Sequence, residues 1–326
     1  MKKIIIFNIL IVSLTVIFLE ILLRLFLDMT PQGVSKGIIN KDSSNPNFNY
    51  SNVDKGRVFG SRVFTNDSGF RISQGEMSNA DNLNVYFVGG SVTFGNGIDQ
   101  SKTFTGILNE KFMKINIHNA SVIGSDIKNN YYILKEKIKR NKVKKIFISF
   151  SLDDLDGVPR DLKNSHETEN NNSFIQKLKK NTILTKINNF IRSKSVIYVW
   201  TKGAIFDSEK KYYDYSLNAF KSEKNLEYLK KYLDLIKVYD EEINNKIKFI
   251  VLPYSHQTKG DNCKKNDLAE KLIEYHLIKR EFDYIKVKDL FCEDKQKNTF
   301  FLKHDPAHLS KYGHKSLANS LYKHIR

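Results

Sequence analysis

The sequence predicts a three-layer α/β domain, a parallel five-stranded sheet between helices, preceded by one membrane-spanning helix. Short apolar runs rich in β-forming residues recur from residue 84 onward, with helical patterns between them. Several of these runs end in Gly, Pro or Asp-rich turns. The first segment is almost free of charge over a length that suits a bilayer.

That first segment begins with Lys2 and Lys3 and then runs from Ile4 to Leu19 without a charged residue. Beyond Glu20 and Arg24 the apolar character continues to Leu27. At ~1.5 Å per residue, residues 4–27 reach across a hydrocarbon core of ~30 Å. Glu20 and Arg24 stand four residues apart, on one helical face, where they can pair. A cleaved signal peptide needs small residues at its cleavage site, and the stretch from Glu20 to Pro31 offers none. An uncleaved anchor over residues 1–29 is therefore expected. Lys2 and Lys3 favour a cytoplasmic N-terminus and put the rest of the chain outside.

Residues 30–82, rich in Gly, Asn and Ser, read as a linker and irregular extension, with a turn at Asn66–Gly69 followed by a short strand at Phe70-Arg71. From residue 83 to 326 one folded domain is expected. Its strands are 84–88, 115–122, 143–150, 248–252 and 284–290, and its helices cover 104–112, 131–138 and 226–238, with a last helix capped by Ser310. Residues 155–245, rich in Lys, Asn and Tyr, read as a helical insertion.

Composition narrows the field. The chain has 326 residues, 40% of them hydrophobic and 12% aromatic, which is enough for a sizeable core. The formal net charge is +17, but the lysines are scattered through Asn- and Ile-rich sequence and form no block, so nucleic acid is not an expected partner. Attraction to anionic lipid or acidic polysaccharide suits the charge better. The two cysteines, Cys263 and Cys292, make neither a disulfide framework nor a zinc ribbon. Outside the cytoplasm they either pair or remain separate thiols.

Two segments carry chemistry. In Val88-Gly89-Gly90-Ser91-Val92-Thr93-Phe94-Gly95 a serine follows a strand and opens a helix, the place where open parallel sheets build ligand sites. Glycines there permit unusual φ angles, and the helix N-terminus favours an anionic nucleophile. Phosphate binding is disfavoured, because neither G-x-G-x-x-G nor a P-loop lysine is present. In Asp305-Pro306-Ala307-His308-Leu309-Ser310, just before the last helix, one loop presents a histidine base and a carboxylate to orient it. His304 and His308 also have the spacing of a metal pair, but no complementary cluster stands elsewhere, so no metal or cofactor is expected.

Taken together, these segments resemble the SGNH/GDSL hydrolase family. Gly89 to Gly95 is similar to its first block, with Gly90 where Asp is commonest. Asn119-Ala120-Ser121-Val122-Ile123-Gly124 is similar to the second, Ser151-Leu152-Asp153-Asp154 falls at the third, and Asp305 to Ser310 resembles the last. The apolar helix, Gly69-Phe70-Arg71 and Pro253-Tyr254 resemble membrane-anchored members. The resemblance implies a flavodoxin-like strand order, Ser91 as nucleophile, His308 as base and Asp305 as its orienter. It also implies an oxyanion hole from Ser91, Gly124 and residue 153. Here the sequence departs from the family: Asp153 stands where an asparagine donates its amide, and an ionised carboxylate donates nothing. Three accounts stay open: a protonated Asp153, a different register with Asn129 or Asn130 supplying the amide, or a domain of weak or no activity.

The function expected is a membrane-anchored ester hydrolase, an acyl or acetyl esterase in the cytoplasmic membrane with its catalytic domain on the outer side. Its expected substrate is an acylated envelope glycan or a similar small ester. A glycan O-acetyltransferase using the same serine, or a non-catalytic glycan-binding or assembly protein on this fold, are the rivals.

Overall fold

Hydrophobic pattern, and not propensity alone, decides where the chain is helical and where it is extended. The computed structural model describes residues 2–26, 29–41, 49–155, 182–205, 207–265, 267–294 and 299–326. The charge-poor first segment is a single helix, α1 (Lys2–Phe26), with its apolar side chains exposed over most of its length. It is long and apolar enough to cross a membrane. Two short strands, β1 (Asn40–Lys41) and β2 (Asn49–Tyr50), pair antiparallel beside it in the chain. Then come β3 (Gly56–Val58), β4 (Ser61–Thr65) and β5 (Arg71–Ile72).

The apolar runs after residue 83 form β6 (Leu83–Val88), β7 (Ile115–Asn119), β8 (Val143–Phe150), β9 (Ile247–Val251) and β10 (Asp283–Lys286). These five pair in parallel in the order β7-β6-β8-β9-β10. The chain therefore reverses its direction of winding at β6, the switch point where such sheets open a crevice at their carboxyl ends. Between the strands lie α2 (Ser91–Phe94), α3 (Phe104–Lys111), α4 (Ile127–Glu136), α5 (Thr182–Lys194), α6 (Val196–Ile205), α7 (Ser208–Ala219), α8 (Glu223–Glu242) and α9 (Leu268–Ile278). After β10 come α10 (Val287–Glu293) and α11 (Lys311–Ile325). Helix α3 packs on α11, where Phe112 stacks on Tyr322, while α4 packs on α8 and α8 on α9. Right-handed crossovers put the first pair on one face of the sheet and the other three on the opposite face. Both faces of the central strands are thus covered, which is why Val85–Val88, Ile146–Phe150 and Phe249–Val251 are all buried.

Two expectations need correction. The sheet has eight strands, because β5, β4 and β3 extend it antiparallel beyond β7. These strands are short, and in β4 only Val63 is buried, so no alternating pattern marked them in the sequence. The run 284–290 is not one strand either. It is extended only to Lys286, and Val287 and Phe291 are then buried four residues apart on helix α10. A short apolar run fits both geometries. Of the span 155–245, residues 156–181 and 206 lie outside the described residues; most of the described remainder is helical as far as Glu242, and α8 is part of the layer that covers the sheet.

Candidate active site

The turn after β6 is shaped by close packing. A Cβ on Gly89 would lie 2.6 Å from Thr93 Oγ1 and 3.0 Å from Ser149 Cβ, so only glycine lets the strand end pass β8 at this distance. Neither Gly89 nor Gly90 has a positive φ; Gly90 is extended and acts as the N-cap of α2. The glycine pair therefore supplies room and not the unusual backbone angle expected of it. Ser91 is the first residue of α2, whose opening amides have no partner within the helix. Asn119, at the end of β7, donates to the Thr93 carbonyl at 3.1 Å and steadies this short helix.

The second segment arrives from the far end of the chain on a tight loop. Leu302 N donates to the His308 carbonyl (2.9 Å), Asp305 N to the Leu302 carbonyl (3.0 Å), and Ser255 N, just past β9, to the Pro306 carbonyl (2.8 Å). Oδ1 of Asp305 accepts the Ala307 and His308 backbone amides at 3.0 and 2.8 Å. Each Asp305 oxygen lies 2.9 Å from His308 Nδ1, and His308 Nε2 lies 2.9 Å from Ser91 Oγ. With the imidazole proton on Nδ1, facing Asp305, Nε2 is left to accept the serine hydroxyl. Ser310 caps α11 through the Gly313 amide, which fixes where the loop ends.

Electrostatics match this geometry. Burial opposes charge on Asp305, but the His308 ring and the bonds from His308 and Ala307 outweigh it and hold the carboxyl below its ordinary range. For His308, burial favours the neutral ring; Asp305, and then Asp153, overcome it and raise the imidazole above its ordinary value, with Arg192 pulling the other way.

Ser91, Asp153, Asp305 and His308 all line one cavity of about 390 Å³, a size suited to a small ligand group. Tyr198, Val199, Lys202 and Gly203 of α6, Tyr212 of α7 and His304 line the same cavity. Asp153 accepts from Ser151 Oγ at 2.6 Å and from the Tyr212 hydroxyl at 3.3 Å, so donors already face its carboxylate. Gly124 is left-handed (φ 74°) and exposed on the loop after β7 and is not among the residues lining the cavity. Asn129 and Asn130 do not line it either: Asn129 Nδ2 donates to Ser125 Oγ at 3.0 Å, and Ser125 Oγ donates to Asn130 Oδ1 at 2.7 Å. Cys263 and Cys292 form a disulfide, Cys292 from within α10.

Three residues near the site have roles that the local sequence does not assign. The Asn96 amide nitrogen lies 3.3 Å from His308 Nε2, and its own backbone amide donates to the Ser91 carbonyl (3.2 Å). Arg71, buried in β5, donates to the carbonyls of Phe94, Gly95 (2.8 Å) and Ile98 (2.5 Å), clamping the loop after the serine helix. Burial pulls its guanidinium down to about 9, with Asp99 acting in the opposite direction. Phe59 meets the His308 ring edge-on, at 5.3 Å between centroids. It sits at φ 48° beside Gly60 at φ 82°, the two central residues of the β3–β4 turn. That turn requires positive φ at both positions, which a phenylalanine rarely adopts.

No protein-family model and no curated protein matches the sequence. Among solved structures, this chain is similar to a lipase/acylhydrolase from Enterococcus faecalis, with 11% identity, a TM-score of 0.42, and 74% of this chain and 95% of that one covered. It is also similar to the acetyl xylan esterase AlAXEase, at 12% identity and a TM-score of 0.40 over 75% of this chain and 100% of that one. A member of the lipolytic G-D-S-L family from Veillonella parvula shows 11% identity and a TM-score of 0.39, with 74% and 97% covered. The chain itself is a mixed α/β domain whose parallel sheet brings a serine, a histidine and an aspartate together at the switch point.

Proposed function

We propose that this chain is a serine ester hydrolase of the SGNH/GDSL type, anchored by α1 with its catalytic domain outside the cytoplasm. The observation that carries it is the continuous line from Asp305 through His308 to Ser91, two contacts of 2.9 Å each. In this reading Ser91 Oγ attacks the acyl carbonyl carbon while His308 Nε2 takes its proton. The tetrahedral intermediate collapses, His308 returns the proton to the leaving alkoxide, and an acyl-serine remains for water to cleave. The Ser91 amide, at the start of α2, and Gly124 are the oxyanion donors that the family resemblance implies; of the two, only Ser91 is among the residues that line the cavity. An acylated envelope glycan or similar ester is the proposed substrate, and the Cys263–Cys292 bond suits an oxidising compartment outside the cytoplasm. Transfer of the acyl group to a sugar hydroxyl would proceed through the same acyl-serine.

The test is labelling by a fluorophosphonate probe. Wild type should label at Ser91, Ser91→Ala should not, and His308→Ala should label at least about 10³-fold more slowly. Equal labelling of wild type and His308→Ala would refute the base assignment. Asp153 favours a second reading, a glycan-binding or assembly protein without turnover, because its carboxylate opposes an oxyanion. Full biological function of Ser91→Ala would select that reading.

A further inference from the structure

Helix α6, which walls the cavity, is tied to the end of α1. The Glu20 carboxylate accepts the Val196 and Ile197 amides at 2.8 and 3.0 Å and the Ser195 hydroxyl at 3.1 Å. A residue of the first helix thus caps the N-terminus of α6, satisfying donors that a helix cannot satisfy itself. Arg24 bonds Glu20 at 2.7 Å and the Lys194 carbonyl, at the end of α5, at 2.9 Å. Leu23 packs into a small cluster with Met29, Val196 and Val199. Cutting α1 away would leave the α5–α6 junction uncapped and its cluster open.

The outward side of this same helix pair is apolar where it should be polar. On α5, Ile187, Phe190 and Ile191 are exposed at a spacing of three and four residues, which forms one stripe. On α6, Trp200 and Ile205 are exposed, Ile205 to 68%. Met77, Met113 and Val238 are exposed singly, as on any soluble surface, and α9 also exposes Leu268, Tyr275 and Ile278; what sets the α5–α6 face apart is that α6 packs against the end of α1. Exposed Lys186 and Lys194 stand beside the α5 stripe, whereas Arg192 donates to Gln32 and lines the cavity. An aliphatic and aromatic face with basic residues along it, continuous with the end of an apolar helix, has the chemistry of a segment lying in a bilayer interface.

We infer that the outer face of α5 and α6 seats on an anionic lipid surface beside the exit of α1. The inference rests on α1 being a membrane anchor, and it deepens the enzyme reading: the helix lying on lipid is the helix that lines the catalytic cavity through Tyr198, Val199 and Gly203. Esters presented at the membrane surface would then meet Ser91 without leaving it. A bilayer suits the face better than a second copy of the chain, because the basic residues along the stripe would repel their own counterparts.

Trp200 is the chain's single tryptophan, so the wild-type protein reports on the seat directly. The full chain would be placed in nanodiscs containing phosphatidylglycerol, with or without a spin label at a shallow acyl position. The expected result is loss of about half or more of the emission in labelled discs, with little quenching by aqueous iodide, as for an interfacial indole. Trp200→Phe with Phe190→Trp should behave alike, which extends the seat to α5. Emission quenched by iodide and untouched by labelled lipid would overturn the inference, because the face would lie in water. Emission quenched by neither would overturn it too, because protein would cover the face. If the chain fails to enter discs and is stripped from membranes by alkali, the anchor fails and the seat with it. Ser91→Ala should leave the quenching unchanged, so failure of the esterase reading is separately visible.

Discussion

The parallel half of the sheet and the three antiparallel strands added to its edge contribute to one site in different ways. Strands β6, β8 and β9 end at the site and position Ser91, Asp153 and, through the Ser255–Pro306 contact, the His308 loop. The edge strands contribute no reacting group, yet they supply Arg71 behind the serine loop and Phe59 against the imidazole. Groups that do chemistry sit in short motifs, because a strand end and the loop after it dictate their placement. Groups that hold those motifs still come from distant segments and are specified only by the tertiary pairing.

The sharpest test of the first region is Asp305→Asn. The geometry would survive, but the imidazole would lose the carboxylate that fixes its tautomer and raises its pKa. A fall in kcat of about 10³–10⁴ toward an activated acetyl ester is expected. Wild-type kcat/KM should rise with pH as His308 loses its proton, with a midpoint above the ordinary histidine value. Removing a negative charge favours the neutral ring, so in Asp305→Asn that limb should move to lower pH. A limb that stays in place would take His308 out of the base role.

For the edge strands the corresponding variant is Arg71→Met. It removes the donor from the buried carbonyls of Phe94, Gly95 and Ile98. Buried acceptors left unmet cost about 1–3 kcal/mol each and do not add fully, so a loss of about 3 kcal/mol is expected. That corresponds to a fall in Tm of about 6–12 °C for a domain of this size. Because the loop bearing the serine slackens, kcat should fall more than KM changes. Arg71→Lys keeps the charge but offers one compact ammonium for carbonyls that a planar fork now spans, so it should rescue only part of the loss. Unchanged Tm and kcat in Arg71→Met would return residues 30–82 to the status of a linker.

Asp153→Asn compares the chain with the pattern its motifs resemble. Replacing a carboxylate by an amide removes a charge beside the developing oxyanion and adds a donor. Ester turnover should therefore rise, by as much as ~10². The same change should lower the pH midpoint, since Asp153 helps to raise His308. A large fall in turnover would mean that the carboxylate is required as it stands, held by Ser151 and Tyr212.

What the sequence disclosed follows the same division. The runs at 84–88, 143–150 and 248–252 were legible because strands buried on both faces are continuously apolar, and the Ser310 cap because its hydroxyl bonds three residues on. The Asn66–Gly69 turn was legible as well: Asn66 Oδ1 accepts the Ser68 and Phe70 amides at 3.1 and 3.0 Å. The purpose of Arg71 was not, since its acceptors lie 23–27 residues away and are backbone carbonyls that any residue would offer. Phe59-Gly60 lacks the Asn-Gly signature of its turn, so the hairpin it makes was invisible. In sequence, Glu20 looked like half of an intrahelical pair with Arg24; its contacts with residues 195–197 depend on a helix 175 positions away.

Phe59 gives the smallest and most discriminating contrast between the two regions. A phenylalanine at φ 48° is held in a strained backbone state, and such strain survives where the side chain is needed. Phe59→Leu keeps an apolar group of similar bulk in the cluster with Ile38, Val58 and Val63, so stability should change by less than ~1.5 kcal/mol. It removes the edge-on contact with the His308 ring, an interaction of about 0.5–1.5 kcal/mol. If that contact holds the imidazole in line with Ser91, kcat should drop about 2–10-fold with KM unchanged. Phe59→Asn relieves the turn but removes the ring, and it should lose the same activity or more. Activity rising in Phe59→Asn would show that the strain serves the hairpin and not the histidine, and the edge strands would then touch the chemistry through Arg71 alone.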